Sequence, residues 1–294
     1  MNIQRTSSAS GKIILSGEYA VVFGYPGIAI PSERRVHISF IQSQKKGAST
    51  IVWNDETAND HWREYAKKIA DLIEKKTGMH GTYEIKNNIP LGRGMGSSTA
   101  LVIAITKVAL GDYCEQIARD IEDAVNPGNS GLDFTVIWHE KPVLFKRGSK
   151  PAFIALPKDL IAGMSLIDTG TPNETTPELV AWVKSRYECH AREASRPLVS
   201  GKNSTHGSGY LPAIDDQEKV HGAIETIGHC TDRILKGEPL KDIIKDHHRA
   251  QVALGVVPET VQKLIAEIES GGGSAKVLGA GGRTGGGGMI LKIV

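Results

Sequence analysis

Cysteine is scarce. Cys114, Cys189 and Cys230 stand far apart and form no C-x-x-C pair, which argues against a disulfide framework and against a cysteine-based zinc knuckle. Long hydrophobic runs are missing too. None approaches the ~20 residues needed to span a bilayer, and Met1 to Ser10 is polar, without the apolar centre of a signal peptide. Neither sign of charge dominates: 35 Lys+Arg face 33 Asp+Glu, a formal net charge of +2, so no polyelectrolyte drive toward nucleic acid or a membrane surface exists. The histidines supply no H-E-x-x-H. His247 and His248 are adjacent and point in different directions on a helix, while His221 and His229 lie too far apart for one helical turn, so ordinary packed or surface histidine is expected. These absences leave a reduced, cytoplasmic globular protein as the expectation. Its 40% hydrophobic and 23% charged residues exclude disorder,, and 294 residues suffice for two modest domains sharing a cleft,.

Glycine, by contrast, is abundant, at 33 residues, and it gathers in three places. The first is Gly11-Lys12-Ile13-Ile14-Leu15-Ser16-Gly17-Glu18-Tyr19, a short apolar strand over Lys12 to Leu15 that runs into a turn. The second is Ile89 to Ala100, with Gly92, Gly94 and Gly96 ahead of the apolar helical segment Leu101 to Leu110. The third is Gly279 to Gly288, set between strands Ala275–Leu278 and Met289–Val294. Elsewhere the patterning predicts strands over Val36–Ile41, around Tyr83 and Ile85, and over Gly163–Asp168. Helices are expected over Asp60–Lys75, Glu115–Ala124, Pro177–Cys189, Asp216–Leu235, Leu240–Leu254 and Pro258–Ser270. Phe134 to Phe145 reads as a hairpin folded near Glu140-Lys141-Pro142, and Ser195 to Ser208 as a loose surface loop. Strands and helices in both halves point to an α+β architecture.

The second segment carries the most chemistry. Its glycines allow positive φ and close backbone approach, and Ser97, Ser98 and Thr99 then open a helix whose free N–H groups and dipole suit an anion. A Walker A loop is excluded because Gly96 is followed by Ser97 rather than Lys. The Rossmann pattern is excluded because the loop runs G-x-G-x-G and no acidic residue closes a βαβ unit. A glycine run like the third segment is entropically costly to order; it is either a mobile hairpin tip or a backbone surface for a ligand or another loop. Lys12 is either a solvated charge or an ammonium aimed into a cleft.

In this order and at this spacing the segments resemble the three motifs of the GHMP kinase superfamily. Gly11-Lys12 through Pro31 is similar to motif one, Pro90 through Ala100 with its Gly94-Met95-Gly96-Ser97-Ser98 core to motif two, and Val277 through Met289 to motif three, so the resemblance spans nearly the whole chain. Within the superfamily, Lys12 through Pro26, Glu122 to Asp133, Ile167-Asp168-Thr169-Gly170, Thr175 through Val180 and Leu254-Gly255-Val256 are similar to the mevalonate kinases. The resemblance implies a two-domain α+β fold, an N-terminal ribosomal-protein-S5-like domain over 1–155 and a C-terminal ferredoxin-like domain over 156–294, with the active site in the cleft between them. It implies ATP and Mg²⁺ as cofactors. Pro90, Gly92, Gly94, Met95, Gly96, Ser97, Ser98 and Thr99 would cradle the nucleotide, and Ser98 and Glu122 would hold Mg²⁺. Asp133 would be the base for the acceptor hydroxyl, with Lys12 beside it stabilising developing charge. Glu18, Thr169 and Gly281 would contact the substrate, mevalonate or a related alcohol. Neither nucleic acid nor membrane is implied as a partner, and the oligomeric state, a homodimer included, stays open. The alternatives are a phosphomevalonate or sugar kinase and a non-catalytic binding protein of the same fold. Three departures bear on the acceptor more than on ATP: Tyr19 where mevalonate kinases usually carry His, the rearranged loop Pro127-Gly128-Asn129-Ser130-Gly131, and Arg283-Thr284 inside a longer motif three.

Overall fold

The computed structural model describes residues 4–43, 47–54, 58–157, 160, 163–193 and 214–294. The expected loop at Ser195–Ser208 lies outside them. The frame is laid down by two long strands, β1 (Gln4–Ser16) and β2 (Gly27–Gln42), paired antiparallel from Gln4↔Ile41 to Ser16↔Ile28. On its other side β2 pairs with β4 (Gly81–Asn87) and β5 (Val143–Phe145), while β3 (Thr50–Trp53) runs parallel to β4 and β6 (Ala152–Phe153) closes the far edge. The parallel pair β3/β4 requires a crossover, which α1 (Asp60–Thr77) supplies. That helix starts where the Asn59 side chain accepts the Trp62 N–H at 3.2 Å,. It turns Ala66, Ile69, Ala70 and Ile73 inward at helical spacing,.

Strand β1 begins well before the apolar stretch that marks it in the sequence. Its first half, Gln4–Ser10, is polar on both faces apart from Ala9, and the strand is buried from Ala9 onward except at Ile13. The pairing register slips between Ser10 and Lys12. Such a bulge twists a strand and re-aims the side chain beside it, and here that side chain is Lys12.

The core of this half is α2 (Ser97–Leu110), buried on nearly all sides and packed on β1, β2, α1, α3 (Glu115–Val125) and α4 (Leu132–His139). Leu101, Ile103 and Ile105 are fully buried, each adding roughly 1.5–3 kcal/mol. Helix α4 corrects the hairpin expected over Phe134–Phe145. Leu132, Phe134, Val136 and Ile137 are apolar in near succession because the short helix is enclosed on several sides, and a fully buried element shows neither strand nor helix periodicity.

The second half holds a three-stranded antiparallel sheet in the order β7-β9-β8, formed by β7 (Met164–Asp168), β8 (Ser274–Val277) and β9 (Met289–Ile293). Helices α5 (Thr176–Glu193), α6 (Ile214–Leu235), α7 (Leu240–Leu254) and α8 (Glu259–Ser270) accompany it. The two halves are bolted together. The Ser16 hydroxyl donates to the Ile227 carbonyl at 2.9 Å, Thr231 donates to the Pro26 carbonyl at 3.1 Å, and Tyr19 and Ala20 enter the apolar cluster of α6 and α7. No described helix is long and apolar enough to cross a membrane.

Candidate active site

Motif two is a chain of tight turns. Gly92, Gly94 and Gly96 all have positive φ, at 68°, 80° and 73°. Gly96 is the residue before α2, and a Cβ there would meet the Lys12 side chain and Ile137 at 3.0 Å. Gly94 is needed for a second reason: any Cβ would run into the Leu278 carbonyl of motif three. Motifs two and three therefore touch backbone to backbone. The Met289 N–H donates to the Arg93 carbonyl at 3.0 Å and seals the contact. The glycine run of motif three is thus a docked loop, not a free hairpin tip.

Lys12 lies beneath this junction with its side chain only 2% exposed. Its N–H donates to the Met95 carbonyl at 2.9 Å and its Nζ to the Gly94 carbonyl at 2.8 Å. The same Nζ is 3.4 Å from Asp133 Oδ1. Asp133 sits in the first turn of α4, just after Gly131 at φ 86°, where the helix dipole favours an anion. Its side chain keeps 36% exposure, so a ligand can reach the carboxylate while the ammonium stays covered. Sequence-distant Lys12, Gly94 and Asp133 are brought to one point.

Glu122 lies behind the start of α2. Its Oε1 accepts from the Thr99 hydroxyl at 2.8 Å and from the Asn126 amide at 3.0 Å. Its Oε2 is buried with no partner. Burial raises the carboxyl to about 7, against the pull of the Thr99 and Asn126 bonds and with further help from Asp133 and Asp123. A buried, unanswered carboxylate oxygen is the kind of donor a hard divalent cation takes, and Ser98 adjoins the Thr99 that bonds Glu122,. Tyr65, which accepts from Asn126 at 2.8 Å and also bonds Ser98, completes this corner.

The remaining expected residues divide. Ser97 is buried, its hydroxyl accepting the Gly92 N–H at 3.3 Å, so it shapes the loop. Met95 is fully buried, so only its backbone faces the site. Pro90 and Ser98 are half-buried at the same loop. Glu18, expected at the substrate, is shut away with its side chain 1% exposed, paired with Lys276 and with His247 Nε2 at 3.0 Å. Burial would raise its carboxyl, but Lys276 and His247 outweigh that and hold it down at about 2. Gly281 is buried against the Val256 backbone. Thr169 spends its hydroxyl on motif three, donating to the Gly288 carbonyl at 2.7 Å and accepting the Gly287 N–H at 3.1 Å. Glu18 and Gly281 are thus enclosed and the Thr169 hydroxyl is committed to motif three, so all three bear on the walls of the site.

Some neighbours escaped the sequence reading. Lys276 stands between Ala275 and Val277 in the fully buried β8, a signal that could have marked a buried partner. Of the two expectations for His247, surface or packed, the structure shows the second, with the ring against Glu18. Arg93, one residue from Gly94, pairs with Asp168 at the end of β7, and nothing in the local pattern points to it.

The fold and this junction define a phosphotransferase built around a glycine-rich loop, a helix N-terminus, a covered lysine and an accessible aspartate. Residues 64–138 match the GHMP kinases N terminal domain. A curated mevalonate kinase of Archaeoglobus fulgidus is 28% identical over 287 residues, covering 94% of this chain and 89% of that protein. Among solved structures, Methanococcus jannaschii mevalonate kinase aligns with a TM-score of 0.72 at 17% identity, covering 100% of this chain and 91% of the other. Lactococcus lactis galactokinase complexed with galactose aligns at 0.75 and 14% identity, covering 99% and 85%. At these identities the solved structures speak for the fold. Residues 64–138 thus match a GHMP kinase N-terminal domain, and over 94% of its length the chain is similar to curated mevalonate kinases, the likeness expected of an ATP-dependent small-molecule kinase.

Proposed function

We propose that the protein phosphorylates the terminal hydroxyl of mevalonate, giving phosphomevalonate and ADP, in a cytoplasmic setting. The observation that carries it is the meeting of Lys12 Nζ with Asp133 Oδ1 at 3.4 Å and the Gly94 carbonyl at 2.8 Å. That meeting joins motif one, motif two and the acidic helix start. The curated relatives supply the choice of acceptor. The division into a nucleotide-holding part, 1–155, and a second part, 156–294, belongs to this proposal.

Phosphoryl transfer asks for position and charge neutralisation. The backbone N–H groups at 94–99 and the start of α2 receive the triphosphate. Asp133 accepts the proton of the acceptor hydroxyl as its oxygen bonds the terminal phosphorus and the bond to ADP breaks. Lys12, held in place by two bonds to the loop, faces the charge that develops on the transferring group. Ser98 and Glu122 are the residues that would hold Mg²⁺. When bound it neutralises phosphate charge and satisfies the orphaned Glu122 oxygen.

The test offers purified protein mevalonate, phosphomevalonate and several sugars with Mg·ATP. ADP release with mevalonate alone is expected. Release only with a sugar or with phosphomevalonate moves the assignment to that acceptor.

A further inference from the structure

Arg93 is a cation inside the anion-binding loop that the reaction as described leaves unused. Its side chain leaves the loop toward the second sheet and pairs with Asp168. The next residue, Gly94, carries the carbonyl that holds Lys12. Arg93 thus sits one residue from the carbonyl that holds the Lys12 ammonium, with its guanidinium directed to the end of β7.

Its partner holds it loosely. The Asp168 side chain is 47% exposed, and ion pairs in such surroundings contribute little. Asp168 also has a second commitment, since its Oδ1 accepts the Gly170 N–H at 2.9 Å. That bond anchors the Thr169-Gly170 segment, to which motif three is hydrogen-bonded. A planar guanidinium is suited to a carboxylate that reaches it through two parallel bonds. A weak resident carboxylate yields to a ligand that brings its own.

We propose that Arg93 is the receptor for the acidic end of the acceptor and that Asp168 holds it in place until the acceptor's carboxylate displaces it. This rests on the acceptor being an acidic alcohol, as under the proposed function. Arg93 is then a specificity-determining residue, and Asp168 its competitor for the same cation.

The competition separates this role from a merely structural ion pair. Breaking a structural pair from either side has the same effect; breaking a competing pair has opposite effects. Titration calorimetry of the full chain with mevalonate, alongside steady-state kinetics and thermal melts, provides the readouts. Arg93→Met is expected to weaken mevalonate binding about 10- to 100-fold. KM for ATP should stay within about threefold and Tm should not move. Arg93→Lys, lacking the fork, is expected to recover only part of the loss. Asp168→Asn, which keeps an oxygen for the Gly170 N–H, is expected to tighten mevalonate severalfold. The triol analogue, with the carboxylate reduced to an alcohol, is expected to bind wild type and Arg93→Met alike. Equal weakening by Arg93→Met and Asp168→Asn overturns the inference. So does a rise in KM for ATP alone, which would assign Arg93 to the nucleotide. Wild type that binds and phosphorylates mevalonate while the Arg93 variants match it sinks only this inference; wild type that ignores mevalonate sinks the proposed function beneath it.

Discussion

Lys12 and Glu18 belong to the same strand-and-turn segment, yet they anchor two opposite kinds of charged cluster. Lys12 pairs with an Asp133 that keeps 36% of its side chain exposed. Glu18 pairs with Lys276 and His247 where all three side chains are at most 1% exposed. The first cluster leaves one partner open to a ligand and so can act on it. The second is closed on every side and so can only hold. Together with the Tyr19 hydroxyl, which donates to the Ala280 carbonyl, it ties motif one to the strand leading into motif three. Charge near an active site is thus not one property: access decides whether a carboxylate does chemistry or carpentry.

The sharpest way to break this contrast is Asp133→Asn. Turnover is expected to fall about 10²- to 10⁴-fold, with the melting temperature nearly unchanged, measured by ADP release and thermal denaturation. Glu18→Gln should do the reverse. It strands Lys276 in the interior, and losing one partner of a buried pair costs about 3–5 kcal/mol. Urea unfolding should show that loss, and adding Lys276→Met should recover much of it. A stable but inactive Glu18→Gln would return Glu18 to the substrate and dissolve the comparison.

Acidity sharpens the contrast further. The Glu122 carboxyl lies at about 7 in the folded protein against an ordinary 4.5, so the native state holds its proton more firmly than the unfolded chain. Its contribution to stability is complete below about 4.5 and is lost as pH rises to about 7, on the order of 3 kcal/mol. Glu18, held at about 2, has the opposite sign: its contribution is present above about 4.5 and lost as pH falls toward 2. Melting curves across pH 4–8 are expected to slope downward for the wild type and not for Glu122→Gln, and Mg²⁺ with nucleotide should flatten the wild type's slope. The smallest effect is expected from Tyr19→Phe. It removes one buried hydrogen bond to Ala280, costs about 1 kcal/mol in urea unfolding, and leaves turnover close to that of the wild type.

Much of this protein could be read along the chain. Helix α7 falls where the periodicity puts it, Leu240–Leu254, because an amphipathic face repeats at helical spacing. The tight turns ahead of α2 were legible in Gly92, Gly94 and Gly96, since glycine reports a local backbone need,. Helix α4 was hidden, because a helix enclosed on several sides loses the polar stripe that betrays it. The enclosure of Glu18 was hidden too, because Lys276 and His247, which close over it, lie far along the chain. By itself the sequence determined the local conformations: where the chain turns, caps and alternates. Only the tertiary structure decided which charges meet and which of them water can reach, because burial and pairing are set by distant segments that no local window contains.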